Sequence, residues 1–276
     1  MSEEKLNFEV NQRTELQRLC HLLNSNEEEL DYLARLSANE LFFLRNKFSD
    51  AMQNEHAETW EKLAKVTKYM PNFISAMVAQ DILGPSITAN LTYHMPVKEA
   101  ISISSHFSVK FMADVTEHLV PSKLEALLKE FPIDRIKKII EELEKRKGYY
   151  TMGNFVDYIP SDRVMAIANQ IHSEETMVRT ATFSNKKDRL VPVIANFSDE
   201  RLKKLILTAS NLNLCEDVLV LVRFIPETEL HRYLGIIVMI GGEVFANYLA
   251  TVKKMGGEEL EKVRSATDKL GIQINW

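Results

Sequence analysis

Residues 132 to 145 read PIDRIKKIIEELEK. Counted from Pro132, the apolar side chains Ile136, Ile139, Ile140 and Leu143 fall at offsets +4, +7, +8 and +11. That spacing is one face of an α-helix. A proline suits a helix start: its missing N–H would find no partner there, and its φ is already helical. The stretch therefore predicts a short amphipathic helix opened by Pro132.

The same reading extends outward. After Pro160 the apolar positions are Val164, Ile167, Ala168 and Ile171; after Ser198, Leu202, Leu205 and Ile206; after Pro226, Leu230, Tyr233, Leu234 and Ile237. Ser173-Glu174-Glu175 and Ser198-Asp199-Glu200 place a capping hydroxyl before acidic side chains, which favour the positive helix end. Starters or breakers recur from Pro71 to the end: Gly84-Pro85, Pro96, Ser108, Pro121, Pro132, Thr151, Pro160, Ser173, Ser184, Ser198, Cys215-Glu216, Pro226, Gly241-Gly242 and Gly256-Gly257. The interval is roughly 12 residues, so two helices make a unit of about 24–26, a spacing that points to a helical repeat. Helices of about 15 Å are unstable alone in water and gain stability by stacking on neighbours. The expected fold is all-α, a HEAT-like α-solenoid of short helix pairs.

Three segments are expected. Residues 1–70 form an N-terminal helical cap, with helices over 12–23, 27–36, 38–52 and 58–69. Residues 71–255 form the helical-repeat solenoid. Residues 256–276 form a C-terminal capping helix and tail, since a terminal repeat needs a polar outer face. Ser37-Ala38-Asn39-Glu40 has the pattern of a capping box before Leu41-Phe42-Phe43-Leu44.

Composition narrows the function. The 276 residues are 45% hydrophobic and 26% charged, as in an ordinary folded domain. A net charge of −5 supplies no basic field for nucleic acid, so no nucleic-acid partner is expected. The two cysteines, Cys20 and Cys215, fit neither a disulfide framework nor a zinc pattern. The opening MSEEKLNFEV has no apolar signal core, and the apolar stretch from Val218 to Ile240 is interrupted by Arg223, Pro226, Glu227, Glu229, His231 and Arg232. The expected location is the cytoplasm, without membrane insertion.

HLVPSKLEALLKEFPIDRI, residues 118–136, has leucine-rich helices opened by Pro121 and by Pro132 with Asp134 close behind. On that stretch, the region from about Met95 to Leu212 resembles the cytoplasmic N-terminal domain of MgtE-type magnesium transporters, which is related in shape to the helical repeats of the flagellar switch protein FliG. The resemblance implies a right-handed superhelix of short helices. It implies no transport, because this chain has no transmembrane span. It implies no metal ligand, because no acidic cluster here matches that family's magnesium site.

Few residues point to chemistry. His94, His106 and His118 recur at equal spacing, each near a helix end. A histidine there interacts well with exposed carbonyls. Packed helices lie about 8–10 Å apart, too far for these side chains to share a zinc ion. Cys215 precedes Glu216-Asp217, whose charges oppose thiolate formation. No GxSxG, HExxH or glycine-rich phosphate loop occurs, so neither an enzyme nor a cofactor is expected.

One segment departs from the period. KRKGYYTMGNF, residues 145–155, stretches the breaker interval to about 19 residues, against the repeat spacing. It either fills a gap where the stack changes direction or binds a partner through Lys145, Arg146, Lys147, Tyr149, Tyr150 and Asn154, since tyrosine and arginine favour binding hot spots. The expected function is a non-enzymatic scaffold for a protein or peptide partner. The alternative is a ligand- or ion-responsive regulatory module, as the transporter resemblance implies.

Overall fold

The computed structural model describes residues 12–23, 25–54, 57–272 and 274. The acidic opening and Trp276, at the end of the expected tail, lie outside them. Every regular element among the described residues is helical, with no strand. The chain falls into two compact units, Met1–Thr151 and Met152–Trp276.

The first unit contains α1 (Gln12–Leu22), α2 (Ala38–Asn54), α3 (Ala57–Thr67), α4 (Asn72–Val78), α5 (Gly84–Thr92), α6 (Val97–Ser104), α7 (Val109–His118), α8 (Glu125–Glu130) and α9 (Ile133–Lys145). The unit boundary falls within α10 (Tyr149–Val156). The second unit continues with α11 (Ser161–Ala168), α12 (Glu174–Phe183), α13 (Val191–Ala195), α14 (Asp199–Asn211), α15 (Cys215–Leu219), α16 (Glu227–Ile240), α17 (Gly242–Met255) and α18 (Gly257–Lys269).

Helix starts follow the local chemistry. Pro71, Pro96, Pro132, Pro160 and Pro226 each occupy the position just before a helix. Each carbonyl there accepts the first intrahelical bond, as from Ile136 N to Pro132 O at 3.1 Å. Ser108, Ser173 and Ser198 cap through their hydroxyls, which accept from Phe111, Thr176 and Arg201 N–H groups. The Ser37–Glu40 capping box is reciprocal: Glu40 N–H reaches Ser37 Oγ at 3.3 Å, and Ser37 N–H reaches Glu40 Oε2 at 2.7 Å.

Three sequence expectations differ from the structure. Thr151 lies buried inside α10 and starts no helix. Ser184 ends α12 and donates to the buried Asp157 carboxylate at 2.6 Å. The helix expected over 27–36 is a turn followed by a 3-10 segment at Asp31–Leu33. There Glu29 N–H bonds to Asn26 Oδ1 at 2.9 Å and the Glu29 carboxylate turns back to Ser25, contacts that compete with a continuing helix.

Packing is by alternate helices. In the first unit α3 packs on α5, α5 on α7 and α7 on α9, while α4 packs on α6 and α6 on α8. In the second, α12 packs on α14, α14 on α16 and α16 on α18, while α15 packs on α17. Leu16, Leu19, Cys20, Leu30 and Leu41 close a small core between α1 and α2. Beside it, the fully buried Glu15 pairs with Arg18 and with Arg45 at 2.9 Å.

Arginine forks tie the layers together. Arg135 of α9 donates to Ser104, Ser105 and Phe107 carbonyls at 2.8, 2.9 and 3.2 Å, at the end of α6. Arg201 of α14 donates to Ala168 O at 3.1 Å and to Ile171 O, at the end of α11. Arg232 of α16 donates to Ala195 O at 3.0 Å and Phe197 O at 2.5 Å, at the end of α13. The last carbonyls of a helix have no intrahelical partner, and a five-donor guanidinium satisfies several at once.

Candidate functional site

The segment from Lys145 onward begins with the closure of α9. Gly148 N–H bonds to Leu143 O at 2.8 Å and Lys147 N–H to Glu144 O at 3.0 Å. This is a Schellman closure, with Lys147 at φ +58° where glycine is usual. Leu214 and Asn213, also at φ +58°, close α14 in the same way.

The candidate binding residues are used unequally. Lys145 is exposed and pairs with Glu142 at 3.3 Å, and Lys147 is exposed. Arg146 is half-buried. It pairs with Asp114 of α7 and with Glu142 at 3.0 Å, fastening α9 to α7. The Asp114 bond, aided by Glu142, raises the Arg146 pKa against the effect of burial. Tyr149 and Tyr150 are half-buried, and the Tyr150 ring lies 4.4 Å from that of His21. Asn154 is half-buried and belongs to the second unit. In that unit Gly153 touches α12 so closely that a Cβ would stand 2.6 Å from Phe183 Cβ.

His94 and His106 sit in the turns after α5 and α6, and His118 ends α7. Among the described residues, no group of three or more His, Cys, Asp or Glu side chains is placed to hold a metal ion. Cys20 and Cys215 are free and buried, and burial raises the pKa of both thiols.

The features most open to a ligand or partner lie on α3 to α5, which the sequence reading did not single out. Outward, Leu63, Val66, Tyr69, Phe73, Met77 and Ile82 are exposed apolar side chains. Tyr69 is 89% exposed and Ile82 76%, values unusual for such large groups in a packed domain. Phe73 and Met77 are one turn apart and share a face of α4. Lys62, Lys65 and Lys68 are exposed beside this row.

Inward, Ser75, Ala76 and Ala79 are buried. From Ala79 to Leu83 the chain makes a π-turn before Gly84, whose φ of +77° and following Pro85 start α5. Ser75, Ala79 and Leu83 line a cavity of about 80 Å³ within the first unit, together with Met70, Met95 and Met112. The stretch FISAMVAQDIL, residues 73–83, carries the available signal: it is apolar on both helical faces, although a lone surface helix keeps one face polar.

No protein-family model, curated protein or solved structure matches this chain. No helix among the described residues is long and apolar enough to cross a membrane.

Proposed function

We propose that the chain is a non-enzymatic helical-repeat scaffold that binds a protein or peptide partner. The observation that carries this reading is the exposed apolar row from Leu63 to Ile82 beside Lys62, Lys65 and Lys68. An exposed apolar patch rimmed by charge is the surface on which an amphipathic partner helix gains most. The lysines favour an acidic one. Lys145, Lys147 and Tyr150 form a second candidate contact. The repeat architecture is part of the proposal. Alternate-helix packing supports a HEAT-like stack of helix pairs, as do the arginine ties, which reach back 28 to 37 residues. Right-handed superhelical winding is what the transporter resemblance implies for that stack.

Lysine-reactive cross-linking in the native cell, followed by mass spectrometry, tests the reading. We expect partner peptides linked to Lys62, Lys65 or Lys68. Links at Lys145 or Lys147 alone would keep the scaffold and move its surface. No partner peptide at any lysine would remove the scaffold reading.

A second reading, a ligand-responsive regulatory module, is favoured by the cavity behind α4. Its test is whether occupancy of the cavity changes the yield of those cross-links.

A further inference from the structure

The cavity in the first unit has a chemistry that can be read from its walls. No lining residue is charged or a histidine. Four of its five hydroxyl side chains are satisfied within the protein. Thr67 Oγ1 donates to Ala64 O at 2.6 Å, Thr88 Oγ1 to Gly84 O at 2.7 Å, Thr92 Oγ1 to Thr88 O at 2.8 Å and Ser104 Oγ to Ile101 O at 2.8 Å. The fifth, Ser75, is 5% exposed, and its Oγ has no hydrogen-bond partner among the described residues. A buried hydroxyl without a partner is unfavourable, so a native structure that keeps one calls for an explanation.

The backbone adds a second observation. The π-turn at Ala79–Leu83 widens the helix, and both of its end residues line the cavity. Such turns are frequent at functional sites. Ala79 and Ala100 line the space with methyl groups where larger side chains would close it.

We propose that this cavity binds a small neutral molecule with an apolar body and a single hydroxyl or carbonyl group, held by a hydrogen bond to Ser75 Oγ. The uncharged walls exclude an ionic ligand, since a buried charge without a partner is strongly unfavourable. A benzene-binding cavity measures about 150 Å³, so a space about half that size takes a body of about four carbons. The inference deepens the ligand-responsive reading by naming the ligand class.

The test uses the full chain with ¹³C-labelled methionine methyl groups, isobutanol as the hydroxyl probe and xenon as the purely apolar one. Met70, Met95 and Met112 report from the cavity wall, and the exposed Met239 is the control. We expect isobutanol to shift the three wall methyls saturably and leave Met239 in place. Ser75→Ala should weaken isobutanol binding about five- to tenfold, the usual effect of losing one hydrogen bond, with the xenon shifts unchanged. Ala100→Leu should abolish both responses; Ala79→Val is the milder filling variant if Ala100→Leu does not fold.

Three results would overturn the proposal. They are no saturable shift with either probe, equal isobutanol affinity in Ser75→Ala, and a bound water at Ser75 that isobutanol does not displace. Saturable wall shifts with unchanged partner cross-links would support the site while removing the regulatory reading.

Discussion

Between Arg45 and Arg135 the chain contains no arginine, whereas from Arg135 onward forks at Arg135, Arg201 and Arg232 grip the carbonyl ends of earlier helices. The π-turn, the cavity and the exposed apolar row from Leu63 to Ile82 all lie in the arginine-free stretch. There the helices are joined by single bonds between short side chains, such as Asn72 Nδ2 to Ser102 Oγ at 2.5 Å. The difference shows two ways of stacking short helices. A guanidinium binds two or three carbonyls at a helix end and fixes the spacing of the layers. Hydroxyl and amide pairs fix less, and they leave room for an occupant on either side of α4.

The largest effect expected contrasts buried and exposed apolar positions in the two regions. Leu230 is 1% exposed, so Leu230→Asp should bury an unpaired carboxylate and cost about 4 kcal/mol or more, enough to unfold the second unit. Tyr69→Asp should change stability by about 0.5 kcal/mol or less, as an ordinary surface substitution does. Thermal melts of the two variants check this, and equal losses would break the comparison.

Next in size is the fork itself. Arg201→Ala should lose about 2 kcal/mol by orphaning the Ile171 carbonyl and removing a second donor from that of Ala168, which keeps the Ile171 N–H. Arg201→Lys should recover less than half of that loss, because an ammonium lacks the planar fork. Denaturant unfolding measures both. If lysine restored full stability, the geometry of the fork would not be what matters.

Phe73→Ser with Met77→Ser should leave the melting temperature near that of the wild type and remove most cross-links to Lys62, Lys65 and Lys68. Unchanged cross-links would detach the apolar row from partner binding.

The smallest effect sharpens the comparison at a helix start. Hydrogen bonds from the Ser37 hydroxyl and N–H hold the Glu40 carboxyl below its ordinary pKa. A depressed carboxylate stabilises the fold above its unfolded pKa, and that contribution is lost as pH falls through the folded value. Ser37→Ala should therefore melt below wild type at pH 7, and the gap should narrow below the ordinary carboxylate range without closing, because the cap bond from Glu40 N–H to the Ser37 hydroxyl is lost at every pH.

Much of the helix ladder was legible in the sequence. Pro132, Pro160, Pro226, Ser108, Ser173 and Ser198 all precede helices. Proline acts through its own ring and serine through N–H groups two or three residues ahead, so their signals are local. Pro192, left out of the breaker series, opens the short helix α13 by the same local rule. Ser184 misled because its hydroxyl serves Asp157, 27 residues away. Thr151 misled because α9 closes on Lys147 in the left-handed conformation, and α10 then begins at Tyr149. The unit boundary falls just after Thr151, inside α10 and not at a helix end.

The candidate segment at 145–155 was legible as an interruption, but not in how its residues are used. The partners of Arg146 and Tyr150 are Asp114 and His21, contributed by other helices. The cavity was not legible at all, because its walls come from helices spread over residues 67–131 and no one of them signals empty space.

By itself, then, the sequence determined the helical class, most helix starts and most of the buried stripe of helices such as α9, α11 and α16, because these follow from interactions within about eight residues. The tertiary structure alone decided which carbonyls the arginines grip, which face of α4 stays exposed, and that Ser75 lacks a partner among the described residues. Each of those depends on side chains roughly 30 residues apart meeting across packed helices, a distance over which helical periodicity carries no information.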